Sequence, residues 1–252
     1  MSMSMQRLIG ILMLAATFLG AGEIRIAVAA NVSYAMEPLI KAYHAQYPDT
    51  KVNIILGSSG KLTAQIQRGA PFDLFLSANM KYPEALYKQG DAVTEPAVYA
   101  QGSLALFSVK VQDFSKGLAL LKETKIKRIA IANPRTAPYG VAALEALKNA
   151  KLYEAVKGKL VYGESISQTV SYAVTATDIG VIAKSSLFSP QMSRYEKGRY
   201  WVDVDPKLYS PIDQGMVLLR HSASQSEAHT FYDFILGTTA KKILQKFGYL
   251  VP

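Results

Sequence analysis

Residues 52–56 are apolar but for Asn53, largely β-branched, and stop at Gly57; Leu62 and Ile66 then recur at helical spacing, Gly69-Ala70-Pro71 interrupts, and Leu74-Phe75-Leu76 follows as an unbroken apolar run. That order predicts strand, turn, helix, turn and a strand covered on both faces, which together make a βαβ unit. Upstream, EIRIAVAA at 23–30 reads as a strand that leaves through the polar turn Asn31-Val32-Ser33. Met36, Leu39, Ile40 and Tyr43 then fall at i, i+3, i+4 and i+7, the stripe of a helix packed on a sheet. Pro38 suits a first turn, so this helix should begin no earlier than Ser33 and end at Pro48-Asp49.

The same design returns later in the chain. A short helix is expected over 82–90, a strand over 103–109, helix around 118–121, and a buried strand over 128–132 that runs into the polar turn 133–140 and the alanine- and leucine-rich helix 141–147. Residues 160–162 lead through Gly163-Glu164-Ser165-Ile166-Ser167-Gln168 into another helix, and 179–183 is one more apolar strand. Residues 201–214 read as a connection bearing proline and aspartate, and 215–219 as a strand returned to the first half. Two helices close the chain; Ala228, Phe231, Tyr232 and Ile235 stripe the first, and Ile243, Leu244 and Phe247 the second. Gly237 should stop the one, with Thr238 or Thr239 capping the other. The expected architecture is α/β with two lobes, 23–102 plus 210–252 and 103–209, joined by two crossings that make a hinge.

Residues 1–22 break the pattern, with Arg7 the only charge, an apolar run over 8–19 and Gly20-Ala21-Gly22 at its end. This is the signature of a secretory signal peptide, too short for a convincing membrane span. Export would lower the formal charge from +9 to +8 by removing Arg7. The chain has no cysteine, so neither a lipid-anchored cysteine nor a disulfide is possible, and a periplasmic location fits. A basic balance favours anionic partners in general. Lysine and arginine are scattered without aromatic interleaving, so nucleic acid is not an expected partner.

The chemistry-bearing stretch is Gly57-Ser58-Ser59-Gly60, which offers two hydroxyls and unpaired N–H groups at the positive end of a helix. A serine there is also the ordinary N-cap residue. Gly60-Lys61 resembles the close of a P-loop, but Ile55 stands where its first glycine should be and Leu62 where Ser or Thr belongs. Ser58-x-x-Lys61 spells the Ser-x-x-Lys of penicillin-recognising enzymes, yet neither Ser-Asp-Asn nor Lys-Thr-Gly accompanies it. His44, His221 and His229 are dispersed and suggest neither a triad nor a metal cluster, so no catalytic residues are assigned.

The pieces AANVSYAM at 29–36, GSSGKLTAQIQRGAPFDLFLSA at 57–78, ANPRTAPYGVAALEAL at 132–147, GESISQTV at 163–170, IGVIA at 179–183 and the terminal FYDFILG and AKKILQKFGY, in this order, resemble the substrate-binding proteins of bacterial molybdate ABC importers. The resemblance covers essentially the whole chain after residue 22. It implies the two-lobed type II periplasmic binding protein fold, each lobe a mixed, mostly parallel sheet flanked by helices. It also implies capture of molybdate or tungstate for delivery to a membrane permease, by a monomer with no cofactor beyond the oxyanion itself. The same fold with sulfate, phosphate or a small organic anion is the alternative ligand class.

Carried over by position, the resemblance places the anion contacts at Asn31, with Ala30 and Val32 backbone beside it, at Ser58 and Ser59, at the Tyr139 backbone, and at Ile166 or Ser167. Molybdenum would be held only as molybdate, through these residues. The family tyrosine at the end of the IGVIA-type strand is Ala183 here, and Tyr139 is the candidate to replace it. Neutral donors on two closing jaws should select by size, so sulfate is expected to bind poorly.

Overall fold

The computed structural model describes residues 22–252, so the expected signal peptide lies outside the described residues apart from Gly22. Among the described residues, ten strands form two five-stranded sheets. The first has the order β2-β1-β3-β10-β4, from β1 (Glu23–Ala29), β2 (Lys51–Gly57), β3 (Leu74–Leu76), β4 (Ala97–Gly102) and β10 (Ile212–Leu218). The second has the order β7-β6-β8-β5-β9, from β5 (Leu104–Phe107), β6 (Ile129–Ala132), β7 (Leu160–Gly163), β8 (Ile179–Ala183) and β9 (Trp201–Asp203). The chain therefore leaves the first sheet after Gly102 and returns to it at Ile212.

Both sheets are mixed. β1 pairs in parallel with β2 and β3, while β10 runs antiparallel to β3 and β4; β6 is parallel to β7 and β8, and β5 antiparallel to β8 and β9. The parallel pairs come from βαβ units, as the repeated strand-turn-helix pattern requires. The antiparallel strands are those on either side of the two crossings.

Helices cover both faces of each sheet. On the first, α1 (Ser33–His44), α7 (Ser226–Leu236) and α8 (Thr238–Lys246) bury Met36, Leu39, Phe231 and Leu244 against Ile24, Ile26 and Leu76. Tyr43 anchors that layer, edge-on to Phe231 and Phe234 with centroids 4.9 and 5.5 Å away. The opposite face is closed by α2 (Ser59–Gln67) and α3 (Lys81–Lys88), where Leu62, Ile66 and Leu86 meet Phe75 and Val217. On the second sheet, α4 (Pro138–Asn149) and the single turn α5 (Tyr153–Val156) cover one face, and α6 (Ile166–Thr175) covers the other.

Several local expectations shift. α1 begins at Ser33, directly after a 3-10 turn over Ala30–Val32, so Pro38 falls in its second turn. α8 starts at Thr238 with Gly237 as its N-cap, so neither threonine caps it. Residues read as connection include β9, which pairs with β5 from Trp201 to Asp203, and β10 starts at Ile212, ahead of the expected strand. Among the described residues no helix is long and apolar enough to cross a membrane.

Candidate functional site

In open α/β sheets, ligands bind beyond the carboxyl ends of the parallel strands. Those ends are Ala29 and Gly57 in the first sheet and Ala132 and Gly163 in the second, and the helices that follow them meet across a common cavity. Asn31, Ser58, Ser59, Tyr139 and Ile166 all line it. It is a small cavity, with room for about one water at its centre. No charged side chain is among its lining residues.

Each lining turn supplies donors by the logic of helix starts, where the first N–H groups have no intrahelical acceptor. The 3-10 turn opening at Ala30 and helices α2, α4 and α6 start at the cavity, two from each half of the molecule, with their positive ends inward. Pro138 opens α4 and has no N–H to offer, so Tyr139 presents the first one there. Ser165 caps α6 by accepting from the Gln168 N–H at 3.2 Å, which leaves the N–H groups of Ile166 and Ser167 at the helix mouth.

The two adjacent serines differ. Ser59 is fully buried and its Oγ accepts the Ala78 N–H at 3.0 Å, so its own proton remains to be given to a ligand. Ser58 Oγ is buried with no partner among the described residues. Asn31 spends both amide N–H bonds inside the protein, on Gln214 Oε1 at 2.7 Å and on the Tyr249 hydroxyl at 2.9 Å. Its Oδ1 is also unpartnered, but an acceptor cannot bind an oxyanion that carries no proton, so the donor Asn31 offers the cavity is its main-chain N–H.

Ser167 stands apart from the other expected residues. It does not line the cavity, and its hydroxyl donates to the Ala30 carbonyl at 3.0 Å, tying α6 to the first half. Tyr139 lines the cavity near its backbone, but its hydroxyl accepts from Gln214 Nε2 at 3.0 Å, away from the donor set. Sequence reasoning missed the buried side chains beneath the cavity: Gln214, Tyr99 and Tyr249. Burial holds all three tyrosine hydroxyls of this layer neutral, with Tyr99 and Tyr139 well above the usual phenol range and Tyr249 at about 12.

Contacts link the two halves beside the cavity. Gly60 N–H donates to the Thr136 carbonyl at 2.9 Å, Ser185 Oγ to the Asn31 carbonyl at 3.0 Å, and Lys61 pairs with Glu164 at 2.5 Å on the rim. A Cβ on Gly60 would press against the Tyr82 hydroxyl and the Thr136 backbone, so glycine is what lets this contact form.

The fold has close counterparts. A sequence model of the family described as bacterial extracellular solute-binding protein matches residues 24–250. The chain is 36% identical over 258 residues to the molybdate-binding protein ModA of Azotobacter vinelandii, covering 99% of each. It is 37% identical over 234 residues to the protein of that name in Rhodobacter capsulatus, covering 91% of this chain and 89% of the relative. The solved structure of the periplasmic molybdate-binding protein of Azotobacter vinelandii superposes with a TM-score of 0.84 at 30% identity, over 91% of this chain and 99% of that one. With a family match over nearly the whole described chain and relatives this similar, the chain belongs to the bacterial extracellular solute-binding proteins.

Proposed function

We propose that this protein captures molybdate, and tungstate with it, outside the cytoplasm and hands it to the permease of an ABC importer. The observation that carries the reading is the convergence of four helix starts, two from each half, on one small cavity free of charged side chains. The A. vinelandii and R. capsulatus relatives carry the name molybdate-binding protein, which supports the choice of anion.

In this reading the ligands are the Ser58 and Ser59 hydroxyls and the main-chain N–H groups of Asn31, Ser59, Tyr139 and Ile166, with Ser167 beside the last. About six hydrogen bonds to a charged ligand, at roughly 1.5–3 kcal/mol each, give a gross term of about 9–18 kcal/mol before association and ordering costs. Tight binding is thus within reach without a salt bridge. Donors without acceptors favour a fully deprotonated dianion, and contact with both jaws at once sets its size. The two crossings at 102–104 and 203–212 serve as the hinge between lobes. No step of chemistry is required, and the protein acts as a monomeric carrier.

Titrating the mature protein with molybdate, tungstate, sulfate and phosphate, followed by calorimetry and thermal unfolding, tests this. Strong stabilisation by the first two alone is expected. An equal response to phosphate or sulfate would reassign the ligand, and turnover of a reporter β-lactam would revive the Ser58-x-x-Lys61 enzyme.

A further inference from the structure

Gln214 is fully buried where the chain re-enters the first sheet, at a point where the pairing of β10 with β4 shifts register between Gln214 and Gly215. Such a bulge turns a side chain out of the regular alternation, and here it serves a carboxamide placed between the two halves of the molecule. Gln214 Oε1 accepts from Asn31 Nδ2 at 2.7 Å and from the Tyr99 hydroxyl at 3.0 Å, while Nε2 donates to the Tyr139 hydroxyl at 3.0 Å. Asn31 and Tyr99 belong to the first half and Tyr139 to the second. Space for the Tyr139 hydroxyl exists because residue 102, on the outgoing crossing, is glycine: a Cβ there would overlap that hydroxyl and lie 2.6 Å from Gln214 Nε2.

Tyr139 thus has two ends. Its backbone N–H faces the cavity, and its ring reaches through to the hinge. Asn31 is similarly double, with its main chain at the cavity and its amide on Gln214. We propose that Gln214 is a positioning residue that couples closure to anion binding: one buried carboxamide sets the cavity turn of each half, and its bond to Tyr139 forms only when the halves meet. Gln214 touches no ligand in this role. This inference rests on the oxyanion-binding reading of the cavity above and adds the device by which the two jaws are aligned.

The test compares the wild type with Tyr139→Phe, Gln214→Met and the double variant, by calorimetric titration with molybdate and by thermal unfolding without anion. Tyr139→Phe removes one hydroxyl and leaves every cavity-facing atom in place, yet it should weaken molybdate binding about tenfold. Gln214→Met should weaken it at least as much, and the double variant no more than Gln214→Met alone, because both changes remove the same bond. A packing role would instead lower the melting temperature and leave the dissociation constant unchanged. Wild-type affinity in folded Tyr139→Phe, or losses that multiply in the double variant, would overturn the proposal; should Gln214→Met fail to fold, Tyr139→Phe decides alone. The titrations are repeated with sulfate and phosphate. If the wild type prefers one of these, the molybdate reading fails and Gln214 is judged on that anion; binding of none overturns both.

Discussion

The two halves of the molecule meet the cavity with different chemistry. The half built on the first sheet brings two buried hydroxyls, Ser58 and Ser59, along with the main chain at Asn31. The half built on the second sheet brings main-chain N–H groups at Tyr139 and Ile166, and the polar side chains nearby are turned elsewhere, Ser167 to the Ala30 carbonyl and the Tyr139 hydroxyl to Gln214. One jaw is therefore open to change by side-chain substitution, while the other answers mainly to changes in the backbone. Sequence inspection favours the first kind of site, because serines are visible and N–H groups are not.

The second jaw is broken most directly by Ile166→Pro. Proline is accommodated at the first position of a helix, and Ser165 before it already has extended backbone, so α6 should persist while one donor is lost. Loss of a hydrogen bond to a charged ligand is worth about 1.5–3 kcal/mol, so molybdate affinity should fall on the order of 10- to 150-fold with little change in far-ultraviolet circular dichroism. Unchanged affinity would move the contact to Ser167.

In the first jaw the serines should separate. Ser59→Ala removes a donor to the anion and also strands the buried Ala78 N–H, so it should cost about 1–3 kcal/mol in binding and a similar amount in the stability of the anion-free protein. Ser58→Ala breaks no side-chain hydrogen bond among the described residues and should weaken binding by about 1–2 kcal/mol with anion-free stability within about 0.5 kcal/mol of wild type. Denaturant unfolding with and without molybdate measures both. Equal stability losses in the two variants would erase the distinction.

Charges at the rim should matter least. Lys61 and Glu164 are both largely exposed, so Lys61→Ala should change affinity by about 0–1 kcal/mol, and less in high salt. A larger loss would mean that ionic contacts and not neutral donors carry the binding. pH dependence should be equally quiet. The Tyr99, Tyr139 and Tyr249 hydroxyls are raised by burial, so folding favours their protonated form; their contribution is whole below the usual phenol value near 10 and is lost as pH climbs above it. Affinity and melting temperature should both be flat between about pH 6 and 9 and fall beyond about 10.

The turns at the cavity were readable because each is punctuated: an apolar run stops at glycine or a polar residue, and a helical stripe begins within a few positions, as at Gly57 to Leu62 and Gly163 to Val170. What escaped depends on pairing between distant segments. β9 is three residues long and carries no period of its own; it exists because β5 lies beside it. Gln214 fell in an expected connection, although a polar residue two positions before the apolar run Met216–Leu218 was a usable signal. Tyr249 is brought beneath the cavity by the C-terminal tail, where Leu250 and Gln101 exchange backbone hydrogen bonds of 3.0 and 2.7 Å, a partnership that no local pattern announces. The direction of the Tyr139 ring was hidden for the same reason, since it depends on the missing Cβ at Gly102.

Crystals of the mature protein grown with molybdate, with diffraction recorded on either side of the molybdenum absorption edge, test the convergence of neutral donors most directly. One anomalous peak is expected, enclosed by Asn31, Ser58, Ser59, Tyr139 and Ile166, within hydrogen-bonding distance of both serine hydroxyls and of N–H groups from both halves. A peak outside that cavity, or one whose oxygens are held by lysine or arginine side chains, would contradict it.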